Sequence, residues 1–329
     1  MVEQRIDIEK DVTGEKSLKE RFKEYNVLFA TNGDDGKDSP IVLSINSYSD
    51  CVSDDNFIVL RSDNGRWYGK RAFLKIFDYG IEKNFDYLIY VDVDCFIAHS
   101  ENLFNLFKKF VESGCILGGP SDGGIFCHRS VNRFSINPFL MFVDLKKVSK
   151  KFRNGKDYYA FSGSKGFSED KVTPFSLKRY NDVFEKYEDF RNKNADWFVV
   201  PHAIEIAKPH NEFEVYYGKN QHPWTCLTTT DFEPYYDIFL GMHDGEENVY
   251  FMYGRDYPCK GDPSGITSAV YLDDDIIHDS NLVCLHTWFT RFSNSDGLPF
   301  ERMTRQRIFS VGIYALEMNG RKELKKYLI

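Results

Sequence analysis

Patterned cysteine is missing from this chain. Its seven cysteines, Cys51, Cys95, Cys115, Cys127, Cys226, Cys259 and Cys284, include no Cys-x-x-Cys pair. Neither a zinc ribbon nor a dithiol redox site is therefore signalled, and a reducing, cytoplasmic setting is the expectation. Long apolar runs are missing too, so no transmembrane segment is expected. Residues 1–10 are charged, with no apolar signal-peptide core behind them. Positive charge is in deficit: 42 Lys and Arg against 50 Asp and Glu leave a net charge of −8. That balance disfavours a protein held to nucleic acid by phosphate contacts, although local patches leave nucleic acid open as a partner. Internal repeats and low-complexity segments are absent as well.

What is present is globular in character. Hydrophobic residues make up 42% and charged residues 28% of 329 positions, which excludes wholesale disorder. The length suits one large α/β domain or two tightly joined halves. Aromatics reach 16%, with 29 Phe. They are read either as a Phe-rich core or as surfaces that stack on sugar rings or bases.

Along the chain, residues 1–24 are polar and are expected as an N-terminal arm or helix. Residues 26–31 then form a short apolar strand, ended by the turn-former at 32–36. Pro40 stands at an expected helix start, and 57–60 is a second strand. A helical stripe carries Phe73, Ile76, Phe77 and Ile81. The strongest strand is residues 86–92, followed by a helix expected to open on a Ser100 cap. Alternating strands and helices imply crossover units, and hence an α/β fold with a mostly parallel central sheet and helices on both faces. In such sheets ligands bind beyond the carboxyl ends of the strands. Residues 149–194, highly charged with Gly, Ser and Pro breakers, are expected as loops and short helices. Short strands are expected at 271–272 and 282–285, and a helical, basic segment from 302 onward.

Asp92-Val93-Asp94 directly follows the strongest strand. As a bare string Asp-x-Asp is weak, and a second copy occurs at Asp273 and Asp275. Context separates the two. An apolar strand that delivers two carboxylates to its C-terminal edge places hard oxygen ligands at the ligand-binding rim. Such ligands suit Mn²⁺ or Mg²⁺, which can bridge a substrate diphosphate.

The order Phe29-Ala-Thr-Asn-Gly-Asp34, a helix, Trp67-Tyr-Gly-Lys-Arg71 and Tyr90-Val-Asp-Val-Asp94 resembles the GT-A class of nucleotide-sugar glycosyltransferases. Within it the chain is most similar to glycosyltransferase family 8, which runs from a "FAxx" first strand to a "YxDxD" metal motif. Family 8 continues with an "NAGVLLINLKK" strand, and residues 137–147 here, from Asn137 through Phe-Leu-Met-Phe-Val to Lys147, are similar. The resemblance implies a Rossmann-like GT-A fold and a donor that is a nucleotide-sugar, most simply a UDP-sugar. It implies that Ala30, Thr31 and Asp34 line the nucleoside pocket and that Arg71 reaches the nucleotide or donor sugar. Asp92 would face the ribose or sugar and share the metal with Asp94, and Asn137 would sit beside the donor sugar. Family 8 also has a C-terminal "HxxGxxKPW". His286 matches its metal-binding His, whereas Phe289 and Phe292 replace the Gly and the Lys. Arg291 could neutralise phosphate charge in the place of that Lys.

Glycosyl transfer requires neutralising a departing nucleoside diphosphate, the work of a Lewis-acid cation. An inverting enzyme also needs a carboxylate base on the acceptor hydroxyl, and a retaining one often lacks it. Asp231, Glu233 and Asp196 are the acidic candidates, Asp231 and Glu233 sharing a face if extended. His202, His210 and His222 lie in loops without partners at ligand spacing. Residues 118–124, Gly-Gly-Pro-Ser-Asp-Gly-Gly, lack the Lys-Ser/Thr of a phosphate loop and are read as a flexible wall near the donor or a surface turn. Residues 146–156 carry six basic residues and no acid. They are read as a solvated loop, or as a surface for an anionic acceptor, a membrane or nucleic acid.

The expectation is thus one continuous catalytic domain. Residues 25–148 form the nucleotide-sugar-binding half, 149–290 the acceptor-side half with the metal-completing His, and 291–329 a C-terminal helical segment. The activity expected is metal-dependent sugar transfer to a hydroxyl of a glycan, lipid-linked sugar, protein or modified nucleic-acid base. The alternatives are a nucleotidyltransferase, disfavoured by the acidic character of residues 32–37, and a metal-dependent sugar-binding module without turnover.

Overall fold

The computed structural model describes residues 16–33, 41–61, 70–126, 129–130, 132–156, 158–161, 166–194, 235–257, 267–287 and 299–321. Helix α1 (Leu18–Glu24) opens on a capping box, in which the Ser17 hydroxyl and the Glu20 carboxylate each accept the other residue's backbone N–H. Next come β1 (Val27–Gly33), α2 (Ile41–Ser47), β2 (Phe57–Arg61), α3 (Lys70–Glu82), β3 (Tyr87–Val91), β4 (Cys95–Ile97) and α4 (Ser100–Ser113). They are followed by β5 (Leu117–Pro120), β6 (Gly123–Phe126), β7 (Arg129–Ser130), β8 (Leu140–Asp144), α5 (Leu145–Phe152) and α6 (Pro174–Lys193). A helical turn at Tyr236–Phe239 leads to β9 (Val249–Asp256), β10 (Ser268–Tyr271), β11 (Leu282–His286) and α7 (Pro299–Met318).

Nine strands form one sheet in the order β2-β1-β3-β8-β5-β9-β10-β11-β4. The fold is mixed α/β. The mostly parallel sheet expected from the sequence holds for β2-β1-β3 and for β5 beside β9. The other five pairings are antiparallel. Parallel pairing needs a crossover connection, whereas the ten residues between β10 and β11 return the chain directly alongside itself.

Helices cover both faces at the β1 end. Leu28 lies under Gly80 of α3, close to Leu145 of α5. Its neighbour Phe29 meets Phe22 of α1 edge-on at 5.0 Å, and Phe22 meets Phe104 of α4 at 5.0 Å. Successive strand residues point to opposite faces, so α3 and α5 lie on one side and α1 and α4 on the other.

The sheet cannot be flat. Strands β3 and β4 stand third and ninth in its order, which would put them roughly 29 Å apart at the usual strand spacing. Yet only Asp92, Val93 and Asp94 join them, a link that spans at most about 14 Å. The sheet therefore curls until β4 approaches the end of β3, and the residues in that short link lie at the closure. The sheet also runs across residue 148, because β5 pairs with β9 and β11 pairs with β4.

Three local expectations need correction. Residues 149–194 contain the 20-residue helix α6, capped by Thr173 and opened by Pro174. Its buried face is Ser176, Tyr180, Val183, Tyr187 and Phe190, a helical period carried by aromatics inside a charged sequence. Ser100 does not cap α4. His99 occupies that place, while the Ser100 hydroxyl donates to Asp50 Oδ1 at 2.9 Å. Residues 118–120 are neither wall nor surface turn but a buried central strand. A Cβ at Gly118 would meet Phe110 at 2.9 Å, and one at Gly119 would meet Ile136 at 2.9 Å, so small residues are needed for packing.

Among the described residues, no helix is long and apolar enough to cross a membrane.

Candidate metal centre

The closure between β3 and β4 is tied down from three sides and by a turn of its own. The Asp92 N–H donates to the Phe139 carbonyl at 2.9 Å, and the Cys95 N–H to the Asp92 carbonyl at 3.1 Å. From α2, the buried Ser44 hydroxyl shares its proton between the Cys95 carbonyl at 2.7 Å and the Asp92 carbonyl at 3.1 Å. On the β11 side, the Thr287 N–H donates to the Asp94 carbonyl at 3.0 Å.

This framework brings three sequence-identified residues together. His286 pairs in register with Cys95, the residue after Asp94. Its Nε2 lies 3.1 Å from Asp94 Oδ1. The His286 ring stacks on Phe139, with centroids 4.3 Å apart and planes 8° from parallel, which fixes its orientation. Asp92, Asp94 and His286 each offer one ligand atom within 4.8 Å of the others. His286 and Asp94 are 5% and 4% exposed.

Electrostatics mark the cluster. Burial, and then the charge of Asp94, push the Asp92 carboxyl up to about 6, while His286, the Val93 N–H and the Tyr90 hydroxyl pull the other way. The Val93 N–H donates to Asp92 Oδ1 at 2.8 Å, and the Tyr90 hydroxyl donates to the same oxygen at 3.3 Å. A divalent cation among the three groups would offset both the burial and the mutual repulsion. Two carboxylates and one imidazole match the donor preferences of Mn²⁺, and three protein ligands leave positions for water or phosphate oxygens. The residues present therefore fit such an ion.

The other sequence candidates fall in different places. Ala30 and Thr31 are buried near the end of β1, where Ala30 pairs with Tyr90, so β1 ends beside β3. The buried Thr31 hydroxyl has no hydrogen-bond partner among the described residues. Asn137 is buried and donates to Asp122 Oδ1 at 2.6 Å, and the Phe139 N–H reaches Asn137 Oδ1 at 3.4 Å. Arg71, on the first turn of α3, has an exposed side chain, and Phe73 of the same turn packs edge-on against Tyr90 at 5.2 Å. Asp34, Asp196, Asp231, Glu233 and Arg291 lie outside the described residues, as do His202, His210 and His222. The second Asp-x-Asp forms only a local turn, with the Asp275 N–H on Asp273 Oδ1 at 3.1 Å.

The basic stretch is largely neutralised. Lys146 pairs with Asp86, Lys147 with Glu247, Lys151 with Asp244 and Glu246, and Arg153 with Asp78 and Glu82. Lys150 and Lys156 make none of these pairs. Most of the stretch is helix α5 docked on acids rather than a loop.

Sequence reasoning missed the support of the cluster. Ser44 carries no motif, because its role follows from the α2–β4 packing. Phe139 carries no motif either, because its role is to stack on a residue far away in sequence. Asp122 is fully buried and accepts from both Asn137 and the Tyr236 hydroxyl, although the surrounding glycines suggested a turn.

No family model matches the chain, and no curated protein matches it. Among solved structures it is similar to one described as "Crystal Structure of A197 from STIV", with 12% identity over 40% of this chain and 70% of that one, at a TM-score of 0.28.

Proposed function

We propose that the chain is a metal-dependent glycosyltransferase with a GT-A-like arrangement, acting on a nucleotide-sugar, UDP-linked in the simplest reading. The observation that carries this is the cluster of Asp92, Asp94 and His286 at the carboxyl end of β3. Asp92, Asp94 and His286 would hold Mn²⁺ or Mg²⁺, which when bound supplies Lewis-acid neutralisation of a diphosphate. The chain's own residues do the remaining work. Phe139 orients the imidazole by stacking on it, and Ser44 holds the Asp92–Cys95 link at its closure. Thr31, buried two residues before the end of β1, would line the nucleoside pocket beside β3. Asn137, held by Asp122, would bond the hydroxyls of the donor sugar. The acceptor is an unidentified hydroxyl compound.

A panel of nucleotide-sugars screened by thermal shift with and without Mn²⁺ tests the reading, followed by assay of nucleoside diphosphate release. One donor should raise the denaturation midpoint only with metal, and Asp94→Ala should abolish release. Near wild-type release by Asp94→Ala at saturating metal would overturn the assignment. Metal-dependent donor binding without any release would favour the sugar-binding module.

A further inference from the structure

At the other end of the sheet a groove of about 410 Å³ opens between α4 and α6. Lys109, Glu112 and Ser113 line one wall, Phe175, Lys178, Arg179 and Asp182 the other, and Tyr250 of β9 the floor. Tyr250 is six residues before Asp256, and Asp256 lies level with His286 through Ser268. At strand rise the groove is therefore roughly 20 Å from that row. It is a separate place from the candidate metal centre.

Arg179 is its unusual feature. The guanidinium lies over the rings of Tyr250 at 4.4 Å and Tyr253 at 4.3 Å, and its Nε donates to the Phe251 carbonyl at 2.8 Å. These contacts fix the plane of the group and occupy Nε; the Tyr250 hydroxyl engages a further N–H, and the remaining terminal N–H groups form a fork. Among the described residues no acid lies within ion-pair distance of Arg179. Asp182 is paired with Lys178 at 3.0 Å, Glu112 with Lys108 at 3.6 Å, and Asp274 with Lys186 at 2.9 Å. Lys109 likewise has no acidic partner among the described residues, its Nζ reaching only the Leu272 carbonyl at 3.4 Å. The groove thus holds two cations without acidic partners, one of them pre-oriented in a flat, bidentate geometry. The 40% exposed Phe175 offers an apolar flank.

We propose that this groove is a binding site for the oxyanion group of a ligand, a phosphoryl or carboxylate gripped by the Arg179 fork with Lys109 as the second charge. A rigid guanidinium loses little freedom on binding, and a planar oxyanion matches both of its terminal nitrogens. The site acts independently of the metal centre.

The test is calorimetric titration of the full chain in EDTA, with inorganic pyrophosphate in one arm and glucuronate in the other. Saturable binding in either arm is expected; binding of pyrophosphate alone identifies a phosphoryl site, and of glucuronate alone a carboxylate site. Arg179→Lys, which keeps the charge and loses the fork, should weaken binding by about tenfold, and Lys109→Gln by about threefold. Lys109→Gln should keep the wild-type denaturation midpoint, Arg179→Lys should remain folded by circular dichroism although it loses the Nε bond to Phe251, and Asp94→Ala should bind as wild type does. No binding of either probe up to about 10 mM, or binding unchanged in both groove variants, would overturn the proposal. So would binding that Asp94→Ala removes.

Discussion

His286 Nε2 lies 3.1 Å from Asp94 Oδ1, although 192 residues separate the two in sequence. The contact depends on one register, the pairing of His286 with Cys95 at the join of β11 and β4. A one-residue slip would turn the imidazole to the other face of the sheet. All five residues of β11 are buried, so both faces of the strand are packed.

An imidazole ligand makes metal preference the first prediction. His286→Ala should weaken Mn²⁺ binding more than Mg²⁺ binding, since Mg²⁺ relies on oxygen ligands. His286→Asp should restore part of the Mn²⁺ affinity. Competition titrations with both ions measure it, and an equal loss for the two would remove His286 from the ligand set.

Ser44 touches no candidate ligand side chain, yet it fixes the backbone between two of them. Ser44→Ala should lower Mn²⁺ affinity roughly tenfold, the scale of a lost supporting hydrogen bond. It should also destabilise the fold by about 1–3 kcal/mol, because buried carbonyls lose their donor. Ser44→Thr, which keeps the hydroxyl, should recover both. Metal titration and urea denaturation of the pair provide the check.

Gly119 tests the correction made at residues 118–120. A Cβ there would meet Ile136 at 2.9 Å and the Leu140 carbonyl at 3.2 Å. Gly119→Ala should therefore cost about 1–3 kcal/mol of stability by overpacking. A mobile wall would accept the methyl group with no change in the urea midpoint.

His243 makes stability depend on pH. It is fully buried, and its Nε2 donates to the Phe134 carbonyl at 2.8 Å. Its Nδ1 has no hydrogen-bond partner among the described residues. Burial holds its pKa down to about 4, against the opposing pull of the Phe134 carbonyl and Asp244. Between that value and the unfolded value of about 6.5 the unfolded chain binds more protons, so stability rises with pH and is lost as pH falls through this window. The His243 share of the loss from pH 7 to pH 5 should be about 2 kcal/mol. Urea denaturation at both pH values should show a smaller drop for His243→Gln than for wild type. Equal drops would exclude His243 as the source.

The sequence was legible where one property dominated a segment. The apolar run at β3 announced both a buried strand and the carboxylates at its end. Helix α6 was hidden because its buried face is largely tyrosine and phenylalanine among charges, so composition suggested a loop. Central strand β5 was hidden for a related reason: Leu-Gly-Gly-Pro looks like a turn, and its glycines make sense only beside Phe110 and Ile136. Asp92 and Asp94 could be placed by the strand argument alone. His286 stood out as the end of an apolar strand, and its pairing with this particular cluster came from the family resemblance. Ser44, Phe139 and Asp122 act through contacts made across the fold, for which local sequence carries no mark.

Mn²⁺ binding to the full chain, followed by the loss of the free-ion electron paramagnetic resonance signal, tests the central claim most directly. The account predicts one saturable Mn²⁺ site per chain, removed by Asp94→Ala and strongly weakened by His286→Ala, with both variants folded in the absence of metal. No saturable site in the wild-type protein, or full Mn²⁺ binding by Asp94→Ala, would contradict it.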